Sequence, residues 1–295
     1  MTATETTAAP SRARVDLGTA SALLAVTLWA SAFVGIRSAG HHLSPGALAL
    51  GRLLVGSAAL TVLAVVRREP LPARRDLPAL VLCGALWFAL YSVALNDAER
   101  RVDAGTAALL VNTGPLLVAV LAGVLLREGF PRPLLVGCAV SFVGAAVIGI
   151  AASHGIAPSW GAVLCVVAAA AYAGAVVTQK PLLRRLSALQ VTWFACLVGT
   201  VVCLPFGGSL FTQLRAAPAS TVGWVVYLGA APLAIGFGAW AFALSRTTAG
   251  RLGSTTYLVP PIAILLGWLM LGEVPPALAF AGGALCLGGV AIARR

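Results

Sequence analysis

Ten stretches of the sequence, near residues 18–37, 45–66, 77–95, 104–126, 133–152, 160–179, 188–206, 221–244, 251–271 and 276–293, are apolar. Each has about the length a helix needs to cross roughly 30 Å of hydrocarbon. A barrel strand would be half as long and would alternate polar with apolar residues, and these stretches do not. Lipid offers backbone N–H and C=O groups no partner, so each segment must satisfy its own. The expected fold class is therefore an all-α integral membrane protein with ten transmembrane helices. Composition requires the same solvent. Of 295 residues 60% are hydrophobic and 10% charged, against roughly 25% charged in a soluble domain.

The net charge of +11 does not form a nucleic-acid footprint. The arginines fall in short groups between apolar runs, which is a topology signal. With the N-terminus in the cytoplasm, the inner loops and ends hold fifteen Lys and Arg: Arg12, Arg14, Arg67, Arg68, Arg74, Arg75, Arg127, Arg132, Lys180, Arg184, Arg185, Arg246, Arg251, Arg294 and Arg295. The outer loops hold Arg37, Arg100, Arg101 and Arg215, and Arg52 alone lies within a span. From that asymmetry both termini are expected on the cytoplasmic side of a cell (inner or plasma) membrane. Arg12 and Arg14 before Ala30-Ser31-Ala32 resemble a signal peptide, but the apolar run continues past Ala32 to Ile36, so an uncleaved first span is expected. Residues 1–17 are Thr- and Ala-rich and read as a disordered cytoplasmic segment.

The sequence repeats. In 111–128 Pro115 precedes Glu128 by thirteen residues, and in 257–273 Pro260 precedes Glu273 by the same thirteen, 145 positions later. Trp29-Ala30-Ser31-Ala32-Phe33-Val34 stands before Arg37 as Tyr172-Ala173-Gly174-Ala175-Val176-Val177 stands before Lys180, at an offset of 143. Spans 1 and 6 correspond, as do spans 4 and 9. The expected domains are a first five-helix repeat over 18–152 and a second over 153–295. Five is odd, so the second copy inserts upside down. Two such halves can rock between opposite openings, which is the architecture of alternating access with the substrate near the midplane. A proline in a membrane helix bends the rod and is tolerated where it is buried in protein or lines a cavity. Pro115, Pro232 and Pro260 are the expected bends.

Trp-Ala-Ser-Ala-Phe-Val at 29–34, Pro45 with Arg52, the Ala-Ala-Leu-Leu run at 107–110 with Pro115 and Glu128, and its echo from Leu258 to Glu273 together resemble the drug/metabolite transporter superfamily, EamA branch. The resemblance covers the chain from residue 18 onward. It implies a ten-span inner-membrane carrier, often an exporter of amino acids or other small metabolites.

No catalytic set is evident. There is no GxxxxGK loop, GxSxG elbow or HExxH pair, so no enzymatic activity is expected. The six cysteines, Cys83, Cys138, Cys165, Cys196, Cys203 and Cys286, lie in spans without a CxxC pair and read as small apolar filler. His41, His42 and His154 lie in loops and suggest no metal; no cofactor is expected. None of the nine acids lies at mid-depth. A proton-coupled carrier usually places one there at a cost of roughly 2.5–3.5 kcal/mol. Facilitated, potential-driven efflux is thus favoured, with coupling through a loop or helix-end carboxylate still open.

The candidate substrate cavity comprises Trp29, Arg52, Tyr91, Asn112, Thr113, Tyr172, Gln179, Trp240 and Tyr257. Asn112 and Tyr257 are repeat-equivalent, each three residues before its proline. A buried Asn needs several partners and so faces protein or water. Arg52 either bonds free carbonyls or a loop carboxylate and holds spans together, or binds the carboxylate of a zwitterionic substrate. Glu128 and Glu273, at helix ends, serve as anchor or gate. The small-residue stripe Gly137, Ser141, Ala145, Gly149 reads as helix packing, with contact between protomers open. The partners expected are a small-molecule substrate and the bilayer, with no nucleic acid, in a monomer or homodimer. The competing class is a non-transporting membrane protein, such as a lipid-handling enzyme or a sensor.

Overall fold

The computed structural model describes residues 16–98, 100–101, 110–152, 160–271 and 277–295, and within them the chain is helix and turn. The helices run as α1 (Leu17–Gly40), α2 (Pro45–Arg67), α3 (Arg74–Ala98), α4 (Gly114–Leu125), α5 (Arg132–Ala152) and α6 (Trp160–Leu182). They continue as α7 (Ala188–Ala216), α8 (Ala219–Arg246), α9 (Ala249–Met270) and α10 (Ala277–Ala293). Seven of them, α1, α2, α3, α6, α7, α8 and α9, are long and apolar enough to cross a membrane, and α4, α5 and α10 are apolar as well. α1 is unbroken through Ala30–Ala32. Most of the segment expected to be disordered, residues 1–15, lies outside the described residues.

Local chemistry fixes the helix ends. The Asp16 carboxylate accepts from the Gly18 and Thr19 amides at 3.2 and 3.3 Å and opens α1; the Gly18 amide foremost holds it below the usual carboxylate range. Pro45, with its φ already helical, begins α2. A reciprocal Ser187–Gln190 cap begins α7. After α4 the chain turns through Arg127 and Gly129, at φ 56° and 74°.

The packing pairs obey an internal two-fold exchange. α2 packs on α7, α4 on α9 and α5 on α10, each helix on its own repeat mate. α1 packs against α8 and α9 as α6 packs against α3 and α4. Single residues follow the same rule: the Ser57 and Thr200 hydroxyls, 143 positions apart, share a hydrogen bond of 2.7 Å between α2 and α7. Even the irregularities match. α3 widens into a π-helical turn at Ala85–Tyr91, and α8 does so at Gly229–Gly236 around Pro232, which has no N–H to give.

The small-residue stripe of α5 is covered by α10 of the same chain, which corrects the option of a seam between protomers for the residues that contact it. The Ser141 hydroxyl donates to the Cys286 carbonyl at 3.2 Å. A Cβ on Gly144 would lie 2.6 Å from the Gly282 carbonyl oxygen, and one on Gly282 would lie 2.6 Å from that of Gly144. Only glycine allows backbones this close.

Candidate functional site

A cavity of about 480 Å³ runs into the helix bundle. Its mouth is at the end where α1 gives way to α2, beside the exposed Arg37, His41 and Arg100. The start of α1 and the end of α10 lie at the opposite end, where the Arg294 guanidinium donates to the Thr19 hydroxyl at 2.8 Å. The prolines mark the wall. Pro115 of α4, Pro232 of α8 and Pro260 of α9 all line it. A proline leaves the carbonyl four residues earlier without its usual helical donor. Those residues, Val111, Leu228 and Thr256, are wall residues too.

Of the expected cavity residues, the structure brings Trp29, Arg52, Tyr91, Asn112 and Tyr172 to this wall. One Arg52 nitrogen donates to the Ser92 hydroxyl at 3.2 Å. The bond fixes a guanidinium on the wall of a mostly apolar cavity. Asn96, one turn beyond Ser92, donates to the Pro45 carbonyl at 3.1 Å and ties α3 to the start of α2. No carboxylate is among the described residues that line the cavity.

The floor is aromatic. Trp29 meets Phe237 and Trp240 with ring centroids 5.0 Å away in each case, and Trp87 meets Phe237 at 4.9 Å and Tyr172 at 5.7 Å. Tilted and edge-on contacts of this kind add about 0.5–1.5 kcal/mol per pair beyond the area buried. Trp240 is fully buried and stands behind Trp29, so it supports the floor and does not face the cavity.

Four expected positions lie off the wall. Besides Trp240, Thr113 turns its hydroxyl back to the Leu110 carbonyl at 2.7 Å. Gln179 is 1% exposed, one residue before Lys180 on α6. Tyr257 is fully buried in the core that holds Val26, Cys138 and Cys286. The reason is a tightened turn at Thr256–Leu258, just before Pro260. It presents Thr256 to the cavity in place of Tyr257. Trp87, Ser92, Asn96 and Phe237 are wall residues that the sequence reading did not select. Ser92 and Asn96 carry a readable signal, since they are polar and one turn apart on an apolar helix. Trp87 and Phe237 carry none.

The end opposite the mouth is held together by two charged side chains on one turn. Lys180 of α6 donates to the Leu244 and Thr247 carbonyls at the end of α8, at 2.6 and 2.5 Å. The Glu128 carboxylate accepts from the Ala249 and Gly250 amides at the start of α9, at 2.9 and 3.2 Å. A cation sits on a helix C-terminus and an anion on a helix N-terminus, each the favoured sign. Glu273 lies outside the described residues. Among the described residues, no three His, Cys, Asp or Glu side chains converge as a metal site.

A family model described as the EamA-like transporter family matches the chain twice, over residues 16–150 and 159–295. The chain belongs to this family. Among its relatives is a protein of Streptantibioticus cattleyicolor named a probable terminal-alkyne amino-acid exporter, 39% identical over 275 residues, with 92% of each chain covered. Another, of Salmonella typhimurium, is named a probable amino-acid metabolite efflux pump; it is 26% identical over 286 residues, again with 92% of each covered. A solved crystal structure superposes with a TM-score of 0.77 at 21% identity, covering 94% of this chain and 96% of the other. That likeness concerns the fold alone.

Proposed function

We propose that the chain exports small amphipathic metabolites that carry a carboxylate, amino acids foremost, by alternating access around this cavity. The observation that carries the reading is the pairing of Arg52 with an aromatic floor inside one cavity, open at one end and closed at the other. A guanidinium matches a carboxylate in shape and charge, and flat aromatic rings accept an apolar side chain. In this reading the ten helices are ten membrane spans, arranged as inverted repeats over 18–152 and 153–295. Both termini are cytoplasmic in the cell membrane, so the closed end faces inside. The paired packing of α1–α8 with α3–α6 and the matched π-helical turns support two halves able to exchange roles. The relatives named as amino-acid exporters support the substrate class.

The test is efflux from liposomes holding the purified chain, with membrane potential clamped. Neutral amino acids with apolar side chains should leave saturably and faster than their decarboxylated amines. Equal rates for acid and amine, or no saturable efflux of either, would refute the reading.

A further inference from the structure

A second cavity, of about 210 Å³, lies where the start of α1 meets the end of α10. Three arginines from three helices converge on it: Arg246 at the end of α8, Arg251 in the first turn of α9, and Arg294 just after α10. Asp16, Gly18 and Thr19 at the start of α1 complete its rim. Among the described residues three guanidinium groups face one carboxylate, Asp16, which accepts from the Gly18 and Thr19 amides and also feels the charge of Arg246. Each guanidinium carries five N–H donors. One Arg251 nitrogen reaches the Arg294 carbonyl and one Arg294 nitrogen reaches the Thr19 hydroxyl, while the Arg246 guanidinium lies 4.2 Å over the Phe242 ring. These contacts aim the forks and use a small share of their donors. Gathering three like charges around a hollow costs free energy unless an anion enters it.

The geometry points to a phosphate-binding site here, and we infer that its occupant is the headgroup of an anionic phospholipid. Leu17, 64% exposed, sits between the rim residues Asp16 and Gly18, and Leu24, exposed as well, lies two turns further along α1, away from the rim. Phosphate above and acyl chain along the helices is the arrangement this surface fits. Basic pockets between helices on the cytoplasmic side are suited to such headgroups, and arginine forks match phosphate oxygens in pairs. The site joins α1 to α8, α9 and α10, so an occupant braces the end that Lys180 and Glu128 hold closed. The leaflet rests on the cytoplasmic placement of the termini; the binding chemistry does not.

The experiment is thermal unfolding of the purified full chain in neutral detergent, titrated separately with phosphatidylglycerol, phosphatidylcholine and inorganic phosphate. Phosphatidylglycerol should raise the melting temperature saturably and phosphatidylcholine should not. Arg251→Gln and Arg294→Gln should each weaken the apparent affinity about fivefold, from roughly one surface charge removed. Arg67→Gln, at the end of α2, should leave it unchanged. If Arg251→Gln or Arg294→Gln does not fold, Arg246→Gln carries the same reading. Saturable protection by inorganic phosphate that phosphatidylglycerol does not exceed would keep the anion site but overturn the lipid as its source. No protection by either phosphate source, or equal protection of the Arg251→Gln and Arg294→Gln variants, would overturn the site. Because no step measures transport, failure here leaves the proposed export untouched, and failure of export leaves this binding test intact.

Discussion

Replacing Glu128 by alanine removes the anion that closes the start of α9. Its carboxylate accepts two backbone amides, at 2.9 and 3.2 Å. A hydrogen bond to a charged group contributes about 1.5–3 kcal/mol when buried, and a charge at a helix terminus about 0.3–1 kcal/mol when exposed. Glu128 is half-buried, so the two bonds together are discounted to about 1–2 kcal/mol. That energy belongs to the closed inner end alone if the α8–α9 turn moves away when the inside opens. Its loss should then shift the balance of the two states toward the inward-open form by about 5- to 30-fold. Glu128→Gln keeps an acceptor oxygen and should shift it less. The assay uses a single cysteine, Ala32→Cys on the cavity wall, in a chain whose six native cysteines are replaced. An impermeant thiol reagent applied to the inner face should label the Glu128→Ala form about 5- to 30-fold faster than its parent. An unchanged labelling rate together with a lowered melting temperature would refute the reasoning, because Glu128 would then hold the fold and not one of its states.

Three further outcomes are expected. Single cysteines introduced at Arg132 and Pro275 should label from opposite sides of the membrane, and labelling from the same side would end the inverted repeat. With the membrane potential clamped, an imposed proton gradient should leave efflux nearly unchanged; stoichiometric proton movement abolished by Glu128→Gln or Glu273→Gln would show that helix-end acids do the coupling. Gly144→Leu should lower stability by about 1–3 kcal/mol or prevent folding, as overpacking does, because its Cβ would meet the Gly282 carbonyl oxygen at 2.6 Å. A wild-type melting curve for that variant would show that α5 and α10 are not sealed against each other.

The sequence shows its helices plainly and the facing of its side chains poorly. Apolar runs of spanning length are visible because a membrane tolerates little else. The duplicated prolines are visible because proline has few other roles inside such runs, and Pro115 and Pro260 both stand on the cavity wall. What escapes reading is rotation about a helix axis. The tightened turn at Thr256–Leu258 exchanges Thr256 for Tyr257 at the wall, although Tyr257 is the one equivalent to Asn112. Trp87 lies in one π-helical turn and Phe237 directly follows the other, where the helical period itself changes. A pattern of 3.6 residues cannot assign a face there. The closure by Lys180 and Glu128 is only half legible. Glu128 stood out as an acid at a helix end, but its partners are backbone amides, which every residue has.

The central claim is that the aromatic and Arg52-lined cavity is the path of the substrate. It is tested by transport per folded molecule for Arg52→Gln, Asn112→Ala and Tyr172→Ala, each normalised to membrane level and melting temperature. Tyr172 also packs against Trp87, and truncating a buried aromatic costs about 3–5 kcal/mol where its role is structural, so normalisation separates the two roles. The expected result is at least a tenfold loss of normalised transport for Arg52→Gln, equivalent to about 1.4 kcal/mol of lost substrate interaction, with clear losses for the other two. Wild-type transport per folded molecule in all three variants would contradict the claim and place the substrate path elsewhere in the bundle.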